Sequence, residues 1–354
     1  MSSTRRWLAN LDAEAELAAV ARGRSRPTPN RATLAAMAGA GTLLRALAGE
    51  GDRVWTVAPV APERMLDVPG LPRVVFESGP FEEKSWVGKQ EPWMETPSAR
   101  RVPAESAPGV VMRVADRAWG LGVAARLRLA LPGATPVGST AELAAALAKL
   151  GDRPWIVKAA YSAAGRDRLR PGQDAARFFA RHGHGVLEPW VKRQADFGAV
   201  GEVGEGGQVV LCGVHGLLVD AAGRFRGIVL RVGCSGEAPG LAPDEAELLT
   251  AALHHAGRAL AAEGYRGPFG LDAFRYLDSA GREAFHPWVE LNPRWSFGRV
   301  ARALVDRLTP VHGWPEGSVV TLEMDHEPPR GAVVVLRPGD GGAGAWVRRD
   351  EALE

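Results

Sequence analysis

The chain has 354 residues, of which 46% are hydrophobic and 24% are charged, and this composition excludes wholesale disorder. At about 150 residues per domain, the length predicts two to three domains with a core that needs no disulfide or metal to fold. The net charge of +2 is small, so composition gives no reason to expect nucleic acid or an acidic membrane surface as a partner. Two cysteines, Cys212 and Cys234, cannot form a disulfide framework, and no apolar run is long enough to span a membrane, so we expect a cytoplasmic protein.

The first hundred residues alternate between helical and extended patterns. Apolar residues recur at helical spacing over 8–21 and 31–48, and two apolar runs at 54–59 and 73–76 predict buried strands. This alternation predicts a small α/β lobe. Five prolines and no sustained periodicity over 79–108 predict a long loop or linker, so we place a domain boundary near residue 105.

The pattern becomes sharper after residue 110, where two helices, a buried strand and a loop of small residues come first. A second buried strand, a run of β-hairpins, a long helix and a final hairpin follow. These predicted elements span, in order, 116–130, 139–150, 155–158, 159–166, 185–191, 196–233, 243–263 and 269–292, with one more strand at 332–336. The chain has no internal repeat of solenoid length.

The final hairpin brings two carboxylates face to face. If Gly281 marks the centre of its turn, strand alternation places Asp272 directly opposite Glu290, and Asn292 lies on the same face two residues further on. Two opposed carboxylates repel each other, and a divalent cation would remove that repulsion. Mg²⁺ prefers hard oxygen ligands and leaves coordination positions for phosphate oxygens and water. The hairpin therefore predicts a magnesium site, with a solvated strand face as the other interpretation.

Two earlier segments carry groups that suit a nucleotide. Lys158 ends an apolar strand and is followed by small residues up to Gly165, and a fixed ammonium beside a loop that admits close approach suits a phosphate chain. A plain lysine at a strand end is the other interpretation. The run from Glu188 to Val191 ends a second strand, and Asp196 follows within reach of a ribose hydroxyl if that strand edge holds an adenine.

Taken in chain order, these features resemble the ATP-grasp superfamily. The resemblance covers roughly residues 110–310 and rests most on Asp272 paired with the run Glu290-Leu291-Asn292-Pro293-Arg294. It implies an α+β / α/β chain with the ATP-grasp fold, in which two α+β subdomains clamp ATP after a small α/β pre-ATP-grasp lobe. The implied units are the N-terminal lobe and linker at 1–105, the small subdomain at 106–185, and the large subdomain with its C-terminal strand at 186–354.

The resemblance also implies how ATP is held. Lys158 would contact the α- and β-phosphates under the closing loop, backbone groups of Glu188 and Val191 would read the adenine edge, and an aspartate would hold the ribose. At the earlier cationic position the family more often has lysine, whereas this chain has Arg117, which keeps the charge but changes the donor geometry. The residues assigned to ATP in this way are Arg117, Lys158, Gly165, Glu188, Trp190, Val191 and Asp196.

The implied metal site and the substrate site lie next to each other in the sequence. Several ligases of the family place an arginine two residues before the metal-binding aspartate, where this chain has Gly270. Arg294 or Arg231 could supply the missing charge, and we assign both as catalytic residues. A surface arginine on an exposed strand is the other interpretation of Arg231. The implied ligands of two Mg²⁺ ions, for which Mn²⁺ can substitute, are Asp272, Glu290 and Asn292.

We therefore expect an ATP-dependent carboxylate–amine ligase that forms an amide bond through an acyl phosphate and releases ADP and phosphate. Its partners would be a small-molecule carboxylate and an amine, with neither nucleic acid nor membrane, and we leave a homodimer open. One alternative is a phosphotransferase on the same fold, and another is a nucleotide-binding protein without turnover. The retained lysine and metal ligands argue against the second alternative. The sequence identifies neither substrate and shows no general base.

Overall fold

The computed structural model describes residues 4–79, 88–107, 109–163, 165–220, 225–339 and 342–350. Within these residues the chain builds three β-sheets flanked by α-helices: a parallel sheet of four strands, an antiparallel sheet of four strands and an antiparallel sheet of eight strands. The expected combination of an α/β lobe with two α+β units is confirmed. No helix in the described part of the chain is long and apolar enough to cross a membrane.

The N-terminal lobe is built on the parallel sheet, whose strand order is β3-β2-β1-β4. Two of these strands were not predicted, because neither shows an apolar pattern: β1 begins with two arginines and β4 has the sequence Lys-Gln-Glu-Pro. Backbone pairing with β1 holds β4 at the sheet edge, inside the predicted linker; residues 80–87 and 108 of that linker lie outside the described residues. The elements are β1 (Arg5–Leu8), α1 (Ala13–Ala21), α2 (Arg31–Gly41), β2 (Arg53–Thr56), β3 (Val75–Ser78) and β4 (Lys89–Pro92), with short 3₁₀ helices at Thr42–Ala46 and Pro62–Arg64.

The smaller antiparallel sheet follows, with the strand order β5-β8-β6-β7. Its last strand in the sequence begins at residue 185, where we predicted the subdomain boundary, and pairs with both β5 and β6. The division between the two antiparallel sheets therefore falls after Pro189 and not at residue 185. The elements are α3 (Val110–Val114), α4 (Arg117–Arg126), β5 (Thr135–Val137), α5 (Thr140–Leu150), β6 (Trp155–Ala159), β7 (Arg168–Leu169), α6 (Ala175–His182) and β8 (Gly185–Pro189).

The larger antiparallel sheet has the strand order β13-β12-β9-β10-β11-β14-β16-β15. Helix α8 packs on β10 and β11, and α7 packs on β9, β10 and β13. The helix α8 was not predicted, although Val300, Leu304 and Leu308 recur at helical spacing and are fully buried. The elements are β9 (Lys192–Val203), β10 (Val209–Val219), β11 (Phe225–Arg231), α7 (Pro243–Ala262), β12 (Gly267–Leu277), β13 (Glu283–Asn292), α8 (Phe297–His312), β14 (Val319–Glu323), β15 (Val333–Leu336) and β16 (Ala345–Arg349).

The register of the large sheet confirms the predicted pair of carboxylates. Asp272 on β12 faces Glu290 on β13. Nearer the turn Leu277 faces Glu283, so the turn is centred one residue before Gly281, and an irregularity between Asp272 and Phe274 shifts the pairing beyond it. Without that shift, regular pairing would place Asp272 opposite residue 288 instead of the glutamate. The irregularity is therefore what brings the two carboxylates together.

Candidate active site

A cavity of about 290 Å³ lies where the N-terminal lobe, the small-residue loop and the face of the large sheet meet. Charged side chains from all three parts of the molecule line it. Most of the residues that we predicted from separate motifs meet here, which the sequence alone could not show. The predicted residues that line the cavity are Lys158, Gly165, Asp196, Asp272, Glu290, Asn292 and Arg294.

The two carboxylates and Asn292 form one partly buried cluster at the end of the final hairpin, with 22% of the Glu290 side chain exposed. The amide Nδ2 of Asn292 donates to Asp272 Oδ2 at 3.3 Å. Burial, and then the charge of Glu290, raise the pKa of Asp272 to about 7. Burial also opposes ionisation of Glu290, but the charges of Arg117 and Lys158 outweigh it and lower the pKa of Glu290 below its ordinary value. At neutral pH Glu290 therefore stays ionised, whereas Asp272 is present in both its protonated and its ionised form.

This cluster has the donor chemistry of a magnesium site. Asp272, Glu290 and Asn292 offer two carboxylates and an amide oxygen, which are the hard ligands that Mg²⁺ prefers. A dication would also compensate the repulsion that raises the pKa of Asp272. Among the described residues no cluster of three or more His, Cys, Asp or Glu side chains could hold a metal, so the amide is needed as the third protein ligand. The three residues fit the ion that the sequence predicted.

Arg117 ties the small-residue loop to the large sheet. It is the first residue of α4, where the Asp116 side chain accepts from Ala118 N at 2.8 Å as the helix cap. Its guanidinium donates to Ala159 O, Ser162 Oγ and Ser162 O, each at 2.6 Å, and to Glu290 Oε1 at 2.5 Å. Arg117 does not line the main cavity. Its four bonds hold the loop and the glutamate in place, so the geometry gives it a positioning role, and its assignment to ATP stays a prediction.

Lys158 reaches the cavity from β6 and is almost fully buried, with 6% of its side chain exposed. Its Nζ lies 2.7 Å from Glu188 Oε2, because Glu188 lies on the neighbouring strand β8. This ion pair compensates the buried ammonium and fixes its direction. The side chain of Glu188 therefore has a function that we did not predict, in addition to the backbone contact that we assigned to it.

The segment after β8 does not line the cavity. Trp190 is 47% exposed, and its backbone N–H donates to Pro154 O at 2.7 Å. The Cζ atom of Arg170 lies 5.8 Å from the centroid of the Trp190 ring. Val191 follows it at the start of the crossing into β9. The adenine contact assigned to Glu188, Trp190 and Val191 would therefore lie at the edge of the small sheet, outside the cavity itself.

Three arginines that line the cavity were not predicted as site residues: Arg166, Arg168 and Arg193. Arg193 donates to Asp196 Oδ1 at 2.8 Å and lies 4.3 Å from the Phe274 ring centroid. Arg168 lies across the loop, and burial followed by the charge of Arg193 lowers its pKa. Gly165 has φ +71°, and a Cβ there would lie 2.9 Å from Arg168 Nη2. The left-handed φ therefore favours glycine here, whereas the flexible end of Arg168 can move to admit a Cβ. Ala164, within the predicted loop, lies outside the described residues.

Arg294 lies beside the cluster of possible metal ligands and is largely buried, with 15% of its side chain exposed. Its Nε donates to Glu14 Oε1 at 2.7 Å, and its Nη2 donates to Asn292 Oδ1 at 3.0 Å. Burial would lower the pKa of Arg294, but Glu14 and Glu290 outweigh burial and raise it. Glu14 lies on α1, so the N-terminal lobe completes the site through a residue that carried no motif in the sequence.

The assignment of Arg231 as a catalytic residue is corrected by the structure. Successive side chains of a strand point to opposite faces, and Ile228 on β11 faces the cavity, so Arg231 lies on the other face of the sheet. Its Nη1 donates to Gly317 O at 3.0 Å, and it lines a different cavity beside α7. Of the two arginines proposed to replace the one absent at Gly270, only Arg294 lies in the site.

The comparisons with known proteins concern the fold. No family model matches the chain, and no curated protein matches its sequence. The structure is similar to N5-carboxyaminoimidazole ribonucleotide synthetase from Thermus thermophilus, with 18% identity, a TM-score of 0.57 and coverage of 99% of this chain and 94% of that one. It is equally similar to N5-carboxyaminoimidazole synthetase from Staphylococcus aureus complexed with ADP, at 10% identity, a TM-score of 0.57 and coverage of 99% and 94%.

A third solved structure extends this likeness to another enzyme. The biotin carboxylase domain of Hydrogenobacter thermophilus 2-oxoglutarate carboxylase, a dimer in complex with MgADP, ADP and bicarbonate, matches with 10% identity and a TM-score of 0.56. The match covers 99% of this chain and 87% of that one. The N-terminal lobe is therefore included in the likeness. Sheet order, hairpin register and these matches together show that the chain has the ATP-grasp fold.

Proposed function

We propose that the protein is an ATP-dependent ligase that joins a carboxylate to an amine through an acyl phosphate. The observation that carries the proposal is the meeting of Asp272, Glu290 and Asn292 with Lys158 and Arg294 in one cavity. Two carboxylates that repel each other in a partly buried place suit a metal–nucleotide complex, and the two cations beside them suit a phosphoryl group and a carboxylate. Solved structures of the same fold, from Staphylococcus aureus and Hydrogenobacter thermophilus, hold ADP and MgADP.

The nucleotide would lie along the cationic side of the cavity. Lys158, Arg168 and Arg193 would neutralise the phosphates, and the loop ending at Gly165 would cover them. Asp196, which is held by Arg193, would accept from a ribose hydroxyl. The adenine would lie outside the cavity, against the segment that follows β8 at the edge of the small sheet.

Asp272, Glu290 and Asn292 would hold Mg²⁺, as two ions or with Mn²⁺ in its place. When bound, the metal would supply positive charge to the phosphate oxygens of ATP. Arg117 keeps Glu290 aimed at this position through its bond to Oε1. Because Glu290 already has a lowered pKa, it is ready to bind a cation at neutral pH.

The reaction transfers the γ-phosphoryl group to the acid. A carboxylate oxygen forms a bond to the γ-phosphorus while the bond from that phosphorus to the β–γ bridging oxygen breaks, and ADP leaves with the electron pair. The amine nitrogen then attacks the acyl carbon, loses a proton to solvent, and phosphate leaves. Arg294 would hold the acid and then its acyl phosphate, because its guanidinium is fixed by Glu14 and Asn292.

The test is to trap the acyl phosphate. The protein is mixed with Mg·ATP, a pool of carboxylic acids and hydroxylamine, which replaces the amine, and ADP and hydroxamate are measured. We expect the two products in equal amounts, and we expect both to be lost in Glu290→Gln. A phosphotransferase would release ADP without hydroxamate, and a binding protein would release neither.

A further inference from the structure

The face of the large sheet that lines the cavity is divided into a charged half and an apolar half. Strand pairing sets the rows: Glu290 faces Asp272, and Asp272 faces Gly198 on β9. In the neighbouring row, Leu217 on β10 faces Ile228 on β11. Charged groups thus stand on β12 and β13, and on β9 through Asp196, which faces Leu217, whereas hydrocarbon side chains stand on β10 and β11. Gly198 lies between them and has no side chain to separate the halves.

The apolar half continues into a row of aromatic rings. Phe225 is stacked on Phe297, with centroids 5.6 Å apart, and Phe297 lies 5.1 Å from Trp93. Arg294 Cζ lies 5.6 Å from the Trp93 centroid. The aromatic row therefore leads from the arginine toward the hydrocarbon patch. Val219, at the outer end of that patch, is 39% exposed, so the patch is accessible from solvent.

No charged side chain of β10 or β11 lines this half of the cavity within the described residues. Two titratable groups lie at the boundary: Asp196, which faces Leu217 and whose Oδ1 accepts from Arg193, and His215, which faces Gly198 and is 4% exposed. Burial, and then the charge of Arg302, lower the pKa of His215 to about 3. The ring is therefore neutral at physiological pH and offers no cation to a second carboxylate or a phosphate.

We propose that the acid substrate carries an uncharged, apolar side chain that packs on Leu217, Val219 and Ile228 while its carboxylate faces Arg294. This inference rests on the proposed ligase activity, whose acid it specifies. A hydrocarbon chain gains from leaving water for this surface. A charged chain would lose its hydration there, and the carboxylate beside the patch, Asp196, is already paired with Arg193. The four residues combine one fixed cation with a hydrocarbon wall, as the carboxylate and tail of such an acid require.

The experiment measures hydroxamate formation from individual acids of matched length. The apolar set is hexanoate and 3-phenylpropionate, and the charged set is glutarate and adipate. We expect kcat/KM to be at least about tenfold higher for the apolar set. Val219 is exposed and tolerates a long side chain. We expect Val219→Arg to lower the ratio of kcat/KM for apolar acids to kcat/KM for dicarboxylic acids by at least about tenfold. The matched control is Leu248→Arg on α7, a residue that is 49% exposed and does not line the cavity.

The outcomes separate this inference from the function on which it rests. Hydroxamate formed from dicarboxylic acids as efficiently as from the apolar ones would overturn the apolar subsite and leave the ligase proposal intact. If the ratio of kcat/KM for apolar to dicarboxylic acids is the same in Val219→Arg, Leu248→Arg and wild type, the proposed apolar subsite is also overturned. Protein that is stabilised by Mg·ATP but forms hydroxamate from none of the acids, pooled or single, would overturn the ligase proposal and this inference with it.

Discussion

Arg294 Nε donates to Glu14 Oε1 at 2.7 Å and thereby joins the end of the final hairpin to the first helix of the chain. The second oxygen of Glu14, Oε2, is buried without a hydrogen-bond partner. A buried arginine needs a counter-charge, and here it comes from the other end of the sequence. The N-terminal lobe therefore belongs to the site.

The first prediction follows from this ion pair. Glu14→Ala removes one counter-charge, and Arg294 keeps its bonds to Asn292 Oδ1 and Trp295 O and the charge of Glu290, so the free energy of unfolding should fall by about 2 kcal/mol. Urea unfolding at neutral pH measures this free energy in the variant and in wild type. Glu247→Ala on α7, an exposed glutamate, is the matched control and should change stability by less than about 0.5 kcal/mol. Equal effects of the two substitutions would mean that the pair contributes nothing.

The second prediction separates catalysis from nucleotide binding. Glu290→Gln keeps the size and strand position of the side chain but removes the charge that would bind a metal. Turnover should fall at least about a hundredfold, while the Kd for ATP should change much less because Lys158, Arg168 and Arg193 remain. Glu283→Gln, at an exposed position of the same strand, is the control. A parallel loss of ATP binding and turnover would assign Glu290 to ground-state binding.

How much of the site could be predicted from the sequence depended on whether the residues that meet there lie close together in the chain. The pair of Asp272 and Glu290 lies within one hairpin, and strand alternation predicted it even though the turn is centred one residue earlier than we assumed. Arg168 and Arg193 belong to strands whose neighbours are set by the sheet order, so no local period shows that they meet. Arg231 was assigned wrongly because its charge was considered without the face of the strand that carries it.

The same distinction applies to the fold. Elements with an apolar period, such as α7, were predicted close to their observed bounds. The strands β1 and β4 are held by pairing with distant strands and by polar contacts, including the bond from Trp7 Nε1 to Asp52 Oδ2 at 3.1 Å. The β4 sequence is polar, and the two apolar residues of β1, Trp7 and Leu8, are too few to set a period. Propensity and pattern cannot identify a strand whose stability comes from its partners.

The third prediction concerns the pair of Lys158 and Glu188. Lys158→Met should raise the Kd for ATP at least about tenfold, since a phosphate contact is lost, and it should also lower stability because Glu188 becomes an unpaired buried charge. Adding Glu188→Gln should restore most of the stability but none of the nucleotide affinity. Isothermal titration with ATP and urea unfolding, carried out on the single and double variants, measure the two quantities. If the double variant regains ATP affinity, Lys158 has only a structural role.

The fourth prediction tests the role of Arg117. Arg117→Lys keeps the charge but cannot make all the bonds that reach Ala159, Ser162 and Glu290. We expect the free energy of unfolding to fall by about 2 kcal/mol and the loop after β6 to become more sensitive to protease. Mg·ATP should protect that loop in both proteins. Unchanged stability and protease sensitivity, with a weaker affinity for ATP, would instead indicate a direct phosphate contact.

The last prediction is the acid sensitivity that a buried histidine confers. Burial, and then the charges of Lys158 and Arg193, lower the pKa of His286 on β13 to about 3, whereas an unfolded histidine titrates near pH 6.5. Between these values the unfolded chain binds the proton and the folded chain does not, so stability falls as the pH decreases through this window. The contribution is fully present above about pH 6.5 and is lost at up to about 1.4 kcal/mol per pH unit below it.

His286→Gln removes this group. The variant should therefore lose less stability than wild type between pH 6.5 and pH 4.5, when both are followed by urea unfolding. The exposed His326→Gln is the control and should leave the pH dependence of wild type unchanged. Parallel curves for wild type and His286→Gln would show that the histidine is protonated in the folded protein, and the charges of Lys158 and Arg193 would then be compensated by another group beside it.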